Sequence, residues 1–412
     1  MQQGQPMDNN KGLLLNDNFF AYVKKNMGND AMRLRLKRQS DIDFPIDLAI
    51  TQIEARNRRL EQKLPSWTAC DKIVFPSLLS TEQCSSEDAA RNKQQLVVGD
   101  TLCDLTGGLG VDLFFMSQQV KQAVYIEQNE LYSQCAEHNF AQLGLQHIAV
   151  INSSCESFLQ QSSQTFDTIY IDPARRSKTQ ERVYALADCE PNVLLLLDTI
   201  LQRCKRLIIK LSPMVDIALL QQELQRPCSI HVVSVNNECK EILAIIDSQV
   251  RPTSTPQDTT VVCSLLKKGR APQEYCFDLR QEAALPHSIA HEVQAFLYEP
   301  DAAIMKAGVF KSISERFGAP KLNKSSHLYT AERVIENFPG RGFQVIETLP
   351  FSSSLCKKFA SQYPACNLTT RNFPLAANEL RKKLRVKDGG DIYLFATTNH
   401  DNKHILIICN KI

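Results

Sequence analysis

LCDLTGGLGVD, residues 102–112, decides the fold. A short apolar run stops at the carboxylate of Asp104, and Thr106, Gly107, Gly108 and Gly110 make a turn that runs on into VDLFF, the start of a helix. Glycines at that place let backbone N–H groups approach a ligand closely, where a helix N-terminus favours negative charge. Working outward, the same alternation repeats. AVYIE (123–127), IAVIN (148–152), DTIYID (167–172) and RLIIKL (206–211) are short apolar runs ending near a polar residue, separated by helical stretches long enough for βαβ crossovers. This order predicts a parallel, doubly wound α/β sheet with its ligand site at the carboxyl ends of the strands. HVVSV (231–235) and EILAIID (241–247) are joined by NNECK, which is too short for a crossover helix and makes the pair antiparallel.

Upstream, residues 17–63 read as helices. NDNFFAYVKKN begins at an Asn16 or Asp17 cap, IDLAITQIEARNRRLEQKL (46–64) has apolar residues at helical spacing, and Trp67 marks the exit. STEQCSSEDAARNKQQL (80–96) reads as one further helix capped by Ser80 or Thr81. Downstream, RPTSTPQD (251–258) reads as a linker. Beyond it come TVVCSLL, EYCFDL and QAFLYE, a helix from Asp301 to about Phe317, HLYTA, FQVIETL, helices near 353–362 and 374–384, and a closing hairpin, DIYLFATT to KHILIIC. The expected organisation is an N-terminal helical region at 1–95, the doubly wound domain at 96–250, and small α+β segments at 255–333 and 334–412.

Charge follows the same partition. Of the net +2, residues 1–70 carry +3, residues 71–300 carry −9, and residues 301–412 carry +8. A basic appendage on an acidic core suits a polyanionic partner, and RKKLRVK (381–387) is its densest run. Fourteen cysteines are scattered with no CxxC, so buried thiols are expected rather than disulfides or zinc ligands. No apolar run reaches the ~18 residues of a spanning helix, and the first thirty residues lack a basic-then-apolar leader, so a cytoplasmic protein without membrane association is expected. Nothing in the chain sets an oligomeric state.

The turn at 102–112 resembles the first motif of class I S-adenosylmethionine-dependent methyltransferases, in the form D-x-T-x-G-x-G. The rival, a dinucleotide-binding loop, wants a third glycine where Leu113 stands and an all-parallel sheet. The resemblance implies S-adenosylmethionine as cofactor. It assigns Asp104 to the methionine amino group, Thr106, Gly107, Gly108, Gly110 and Asp112 to the cofactor loop, and Glu127 to the ribose hydroxyls. Ser154 and Cys155 occupy the strand end where relatives often place an adenine-contacting Asp. Ser86, with Gln83, Ser85 and Lys93, belongs to an upstream segment that in many relatives closes over the methionine end.

Asp172-Pro173-Ala174-Arg175-Arg176 stands where amino-directed members carry Asp/Asn-Pro-Pro-aromatic, a motif that accepts the amine hydrogens of a base and stacks on it. Asp172 and Pro173 match; Ala174 and Arg175 do not, although an arginine plane also stacks on bases and pairs with phosphate. Asp172 is read as meeting both acceptor and cofactor, and Lys210, in IIKLSPM at the same rim, as holding phosphate or tuning a proton acceptor. No cysteine lies between Cys155 and Cys189 or between Cys204 and Cys228, which disfavours pyrimidine carbon-5 chemistry.

EQCSSE, DLTGGLGVD, DPARR, KLSPM, LYEPDAAIMKAG and GGDIYLFAT together resemble a bacterial family of such enzymes with ferredoxin-like and THUMP-like segments after the catalytic domain. The resemblance implies a seven-stranded Rossmann-like sheet ending in an antiparallel hairpin, and methyl transfer to a base nitrogen or exocyclic amine of structured RNA. Two other readings stay open: a cofactor-binding RNA-binding module without catalysis, and a methyltransferase for small molecules or proteins.

Overall fold

Residues 13–36, 42–58, 60–175, 186–249 and 259–412 are described by the computed structural model. The expected linker at 251–258 and Arg176 fall outside them, as does the side chain of Arg175. Two compact units divide the chain, Met1–Leu224 with Ala244–Arg251, and Gln225–Leu243 with Pro252–Ile412.

The first unit begins with helices α1 (Asp17–Lys25) and α2 (Ile46–Asn57). The Asn16 side chain accepts from the Phe19 amide and caps α1. Phe19, Val23, Leu48, Ala49 and Ile53 pack with Val74 and Cys135, so these helices share a core with the doubly wound part. The extended stretch at 73–75, after α2, belongs to no strand. Its backbone is satisfied instead by two buried amides, Gln52 bracketing Phe75 and Asn139 bracketing Val74, each bond 2.7–2.8 Å long. The helix expected over 80–96 is two helices, α3 (Leu78–Gln83) capped by Ser77 and α4 (Glu87–Gln94) capped by Ser86. Ser86 breaks the run because its hydroxyl accepts from the Ala89 amide, with Glu87 and Asp88 in the first turn behind it.

Then the alternation follows: β1 (Thr101–Asp104), α5 (Val111–Met116), β2 (Gln122–Glu127), α6 (Glu130–Gln142), β3 (Ile148–Asn152), α7 (Cys155–Gln161), β4 (Phe166–Ile171), α8 (Val193–Leu201) and β5 (Cys204–Leu211). β1 lies between β2 and β4, all parallel, with Asp104 level with Tyr125 on one side and Tyr170 on the other. Glu127, Asp104 and Lys210 thus reach one rim of the sheet.

β6 (Ser229–Val235) and β7 (Glu238–Asp247) turn at Asn236 and Asn237, both at positive φ (51° and 66°). A two-residue turn of that kind makes the antiparallel hairpin expected from the short link. The strand count differs from the seven expected. β8 (Thr260–Leu266) adds parallel to β6 and β9 (Gln273–Asp278) antiparallel to β8, giving nine strands in the order β9-β8-β6-β7-β5-β4-β1-β2-β3. The Pro- and Thr-rich run before β8 reads as a break, yet Val261, Cys263 and Leu265 are fully buried once β8 covers the open edge of β6.

The second unit also holds a six-stranded sheet built from β10 (Phe296–Pro300), β11 (Tyr329–Ala331), β12 (Gly340–Pro350), β13 (Ala365–Arg371), β14 (Lys387–Thr398) and β15 (His404–Lys411), in the order β11-β10-β12-β15-β14-β13. Only β13 and β14 pair in parallel. The helix expected from Asp301 to Phe317 is two, α9 (Ala302–Ala307) and α10 (Phe310–Phe317), separated at Gly308, whose φ of 73° ends the first. α11 (Ser353–Gln362) and α12 (Ala377–Leu384) bury Phe359, Leu380 and Leu384 against Leu394, Leu406 and Ile408.

Candidate functional site

The β1 turn closes on itself before any ligand is considered. The Asp104 carboxylate, 1% exposed, accepts from the Thr106 amide at 3.0 Å, and the Thr106 hydroxyl accepts from the Asp172 amide at 2.6 Å. Thr106 therefore ties the ends of β1 and β4 together. The Gly107 amide donates to Ile126 O, and the Gly108 amide to Glu127 Oε2 at 2.9 Å. The Asn129 amide donates to the other Glu127 oxygen at 2.8 Å, so two backbone donors aim this carboxylate at the rim. Tyr125 lies beneath the turn, its hydroxyl donating to Gly108 O at 2.5 Å. A Cβ on Gly107 would fall inside the Tyr125 ring, so only glycine lets this backbone lie flat on it.

Four carboxylates converge here. Burial pushes the Asp104 carboxyl well above the ordinary range, and the charges of Asp112, Asp172 and Glu127 push it further. A cation reaching Asp104 would favour its ionised form.

Asp112, in the first turn of α5, is met by two ammonium groups and two hydroxyls. Lys93 Nζ lies 3.1 Å from Oδ1; the hydroxyls of Ser85 and Tyr170 donate to Oδ2 at 3.0 and 2.8 Å, and Lys210 Nζ lies 3.4 Å from Oδ2. Burial opposes ionisation of Asp112, but the two ammonium groups and two hydroxyls outweigh it and hold the carboxyl below its usual range. Lys210 Nζ also lies 2.6 Å from Asp172 Oδ2, and Asp172 is partly exposed where β4 ends.

The remaining residues singled out in the sequence fall as follows. Ser154 caps α7, accepting from the Ser157 amide, and Cys155 is buried, its thiol pushed up to about 12 by burial and then by Glu156 and Asp104. An un-ionised thiol is a poor nucleophile. Ser86 spends its hydroxyl capping α4, and its neighbour Ser85 reaches Asp112. Pro173 is buried and Ala174 exposed; Ala174 and Arg175 form a short antiparallel ladder with Glu190 and Cys189. Sequence reasoning missed Tyr125 and Tyr170, which read simply as apolar strand residues. All fourteen cysteines are free thiols.

Three family models match the chain: conserved hypothetical protein 95 over residues 92–200, a ferredoxin-like domain over 296–339 and a THUMP domain-like model over 340–411. Two Mycobacterium tuberculosis proteins, from strains CDC 1551 / Oshkosh and H37Rv, are described as uncharacterized S-adenosylmethionine-dependent methyltransferases. Each is 23% identical over 315 residues, 74% of this chain and 79% of its own. The crystal structure of a candidate methyltransferase from Porphyromonas gingivalis W83 is 32% identical, with a TM-score of 0.86 over 96% of this chain and 97% of that one. The chain belongs to the S-adenosylmethionine-dependent methyltransferases. Its cofactor is S-adenosylmethionine, and the residues present fit that molecule. The methyltransferase offers an ammonium group the Asp104 carboxyl, and offers hydroxyl donors the Glu127 carboxylate that the Gly108 and Asn129 amides hold. Among the described residues no helix is long and apolar enough to cross a membrane.

Proposed function

We propose that this methyltransferase modifies a base nitrogen or exocyclic amine of a structured RNA in the cytoplasm. The observation that carries the reading is the Asp172 carboxylate, held by Lys210 at the rim and followed by a buried Pro173. One Asp172 oxygen faces Lys210, and the other is directed to an amine N–H of the acceptor. The cofactor supplies a methyl group already activated by its sulfonium. The chain's work is therefore positioning, which supplies on the order of 7–11 kcal/mol when nucleophile and electrophile are held in a near-attack pose. When the acceptor nitrogen takes the methyl group, Asp172 would accept a hydrogen bond from its N–H and then take up the proton that the methylated nitrogen sheds. Asp104 is assigned the methionine ammonium, Glu127 the ribose hydroxyls, and the turn at Thr106, Gly107, Gly108 and Gly110 the cofactor backbone. Pro173 shapes the acceptor slot, and Arg175 and Arg176 meet the base or its phosphate.

The THUMP-like match and the +8 charge of residues 301–412 support RNA as the partner. We assign recognition to the segments at 255–333 and 334–412, catalysis to 96–250, and support of the cofactor turn to 1–95. On α12, Lys382 and Lys383 are exposed, whereas Arg381 is already paired with Asp388 at 2.6 Å.

The test is transfer of labelled methyl from S-adenosylmethionine to total RNA from a strain lacking the gene, with nucleoside mass spectrometry of the product. A methylated amine or ring nitrogen is expected. Charge reversal of Arg381, Lys382 and Lys383 should weaken RNA binding and flatten its salt dependence by about one unit of slope for each phosphate no longer neutralised. Cofactor binding with no transfer to any RNA would replace this reading by that of a binding module. Transfer to protein or small molecules alone would remove RNA from it.

A further inference from the structure

The DLTGGLGVD motif ends in an acid that the resemblance gives to the cofactor, but the geometry around it assigns Asp112 elsewhere. Both of its oxygens face charged or polar groups of the protein: Oδ1 lies beside Lys93, and Oδ2 faces Ser85, Tyr170 and Lys210. Oδ2 is crowded by three groups, whereas Oδ1 is buried beside the Lys93 ammonium as an ion pair and accepts no hydrogen bond. Its residue is only 9% exposed, and Lys93 is wholly buried. Lys93 Nζ also lies 3.2 Å from the Ser85 hydroxyl, closing a small network on the Lys93 side. On the other side Lys210 is shared between Asp112 and Asp172. The four charges alternate in sign along the line Lys93, Asp112, Lys210, Asp172 and sum to zero, the condition under which buried charges persist.

We propose that Lys93 and Asp112 are positioning residues, which hold Lys210 and through it aim the Asp172 carboxylate at the acceptor. The inference rests on the role given above to Asp172. Lys210 leaves β5, Asp172 ends β4, Asp112 starts α5 and Lys93 lies on α4, so four separate elements fix one carboxylate. Asp112 turns the Lys210 ammonium, and Lys210 pins Asp172 Oδ2. Lys93 balances Asp112, so that the carboxylate is not held by Lys210 alone. Deleting Asp112 frees Lys210 to move and Asp172 to rotate.

The experiment uses the full chain. Asp112→Asn alone strands the buried Lys93 ammonium, so the principal variant is Lys93→Met with Asp112→Asn, which removes one charge of each sign. In methyl transfer to total RNA, kcat should fall on the order of 10²-fold, the usual cost of a misplacement near 1 Å. KM for RNA and the calorimetric Kd for S-adenosylmethionine should stay within about threefold, since the interaction removed acts in the transition state. In an Asp172→Asn background the same pair of changes should lower kcat less than about twofold, because residues acting as a unit are not additive. Lys210→Arg, which keeps the charge, should recover activity that Lys210→Met loses. Equal losses in both backgrounds, or a loss mainly in cofactor Kd, would overturn the proposal. A crystal structure of the Lys93→Met, Asp112→Asn protein gives a readout without turnover: Asp172 should leave its contact with Lys210, and an unmoved pair refutes the inference. If the unaltered protein methylates no RNA, the RNA reading fails by itself and the crystal structure alone decides the positioning role.

Discussion

Alanine at position 107 would carry a Cβ 2.1 Å from Cε2 and 2.3 Å from Cζ of Tyr125. Carbon atoms in contact prefer about 3.5–4.0 Å, so the shortfall is about 1.4 Å or more. The ring has nowhere to go. Tyr125 is fully buried, stands edge-on to Phe140 with centroids 5.6 Å apart, and is held at its far end by the bond to Gly108 O. Overpacking of a closed core costs about 1–3 kcal/mol, and breaking the hydroxyl bond adds about 1 kcal/mol, so Gly107→Ala should cost about 3 kcal/mol in all. The cost is divided between two observables. If the ring yields, the urea midpoint falls. If the turn lifts instead, the Gly108 amide leaves Glu127 and cofactor affinity falls, by about two orders of magnitude for the full amount. Urea melts and calorimetry on one preparation read both. Gly108→Ala is the comparison: its Cβ meets only Thr106 O at 3.8 Å, and the substitution bears only the cost of its φ of 55°, about 1–2 kcal/mol. If Gly107→Ala costs no more than Gly108→Ala in stability and affinity together, the packing argument is wrong.

Two further outcomes follow from the carboxylates. Asp104 has a raised carboxyl pKa, from burial first and neighbouring acids second, so meeting a cationic ammonium should ionise it and release a proton. Cofactor affinity should then rise with pH, and the binding enthalpy should depend on the ionisation enthalpy of the buffer, whereas Asp104→Asn should show no such dependence. Lys93→Met should destabilise the fold by about 3 kcal/mol at pH 7, the low end for breaking a buried pair, because Lys210, Tyr170 and Ser85 remain on Asp112. The Asp112 carboxyl lies below its ordinary value, so its contribution is present above about pH 4 and lost as pH falls; urea melts at pH 7 and 3.5 should show the gap between the two proteins closing.

The central strands were legible because β1, β4 and β5 are buried on both faces and read as unbroken apolar runs between turn residues. The edge of the sheet was not: a Pro- and Thr-rich stretch before β8 signals a break in the chain, and nothing local says that the next strand returns to the same sheet. The glycine turn, Glu127 and Asp172 were found from their places at strand ends. Whether Ser85 or Ser86 served the site depended on where α4 begins, and adjacent serines do not reveal that. The link between Lys93 and Asp112 depends on how α4 packs on α5, a contact that neither helix's own periodicity encodes. Tyr170 has the same period-two signature whether its hydroxyl is used or not, so only the fold shows it reaching Asp112.

Two of the four groups around Asp112, Lys93 and Ser85, come from ahead of the first strand. A fragment trimmed to begin at β1 would keep every strand and the whole glycine turn, yet would carry a buried acid with its deepest counter-charge cut away. Such a piece should express as a loosely packed sheet that binds cofactor poorly, and a chimaera that grafts this sheet onto another leader inherits the same defect. The smallest transplantable part therefore starts no later than the cap of α3 at Ser77, well ahead of Thr101, where the α/β pattern begins.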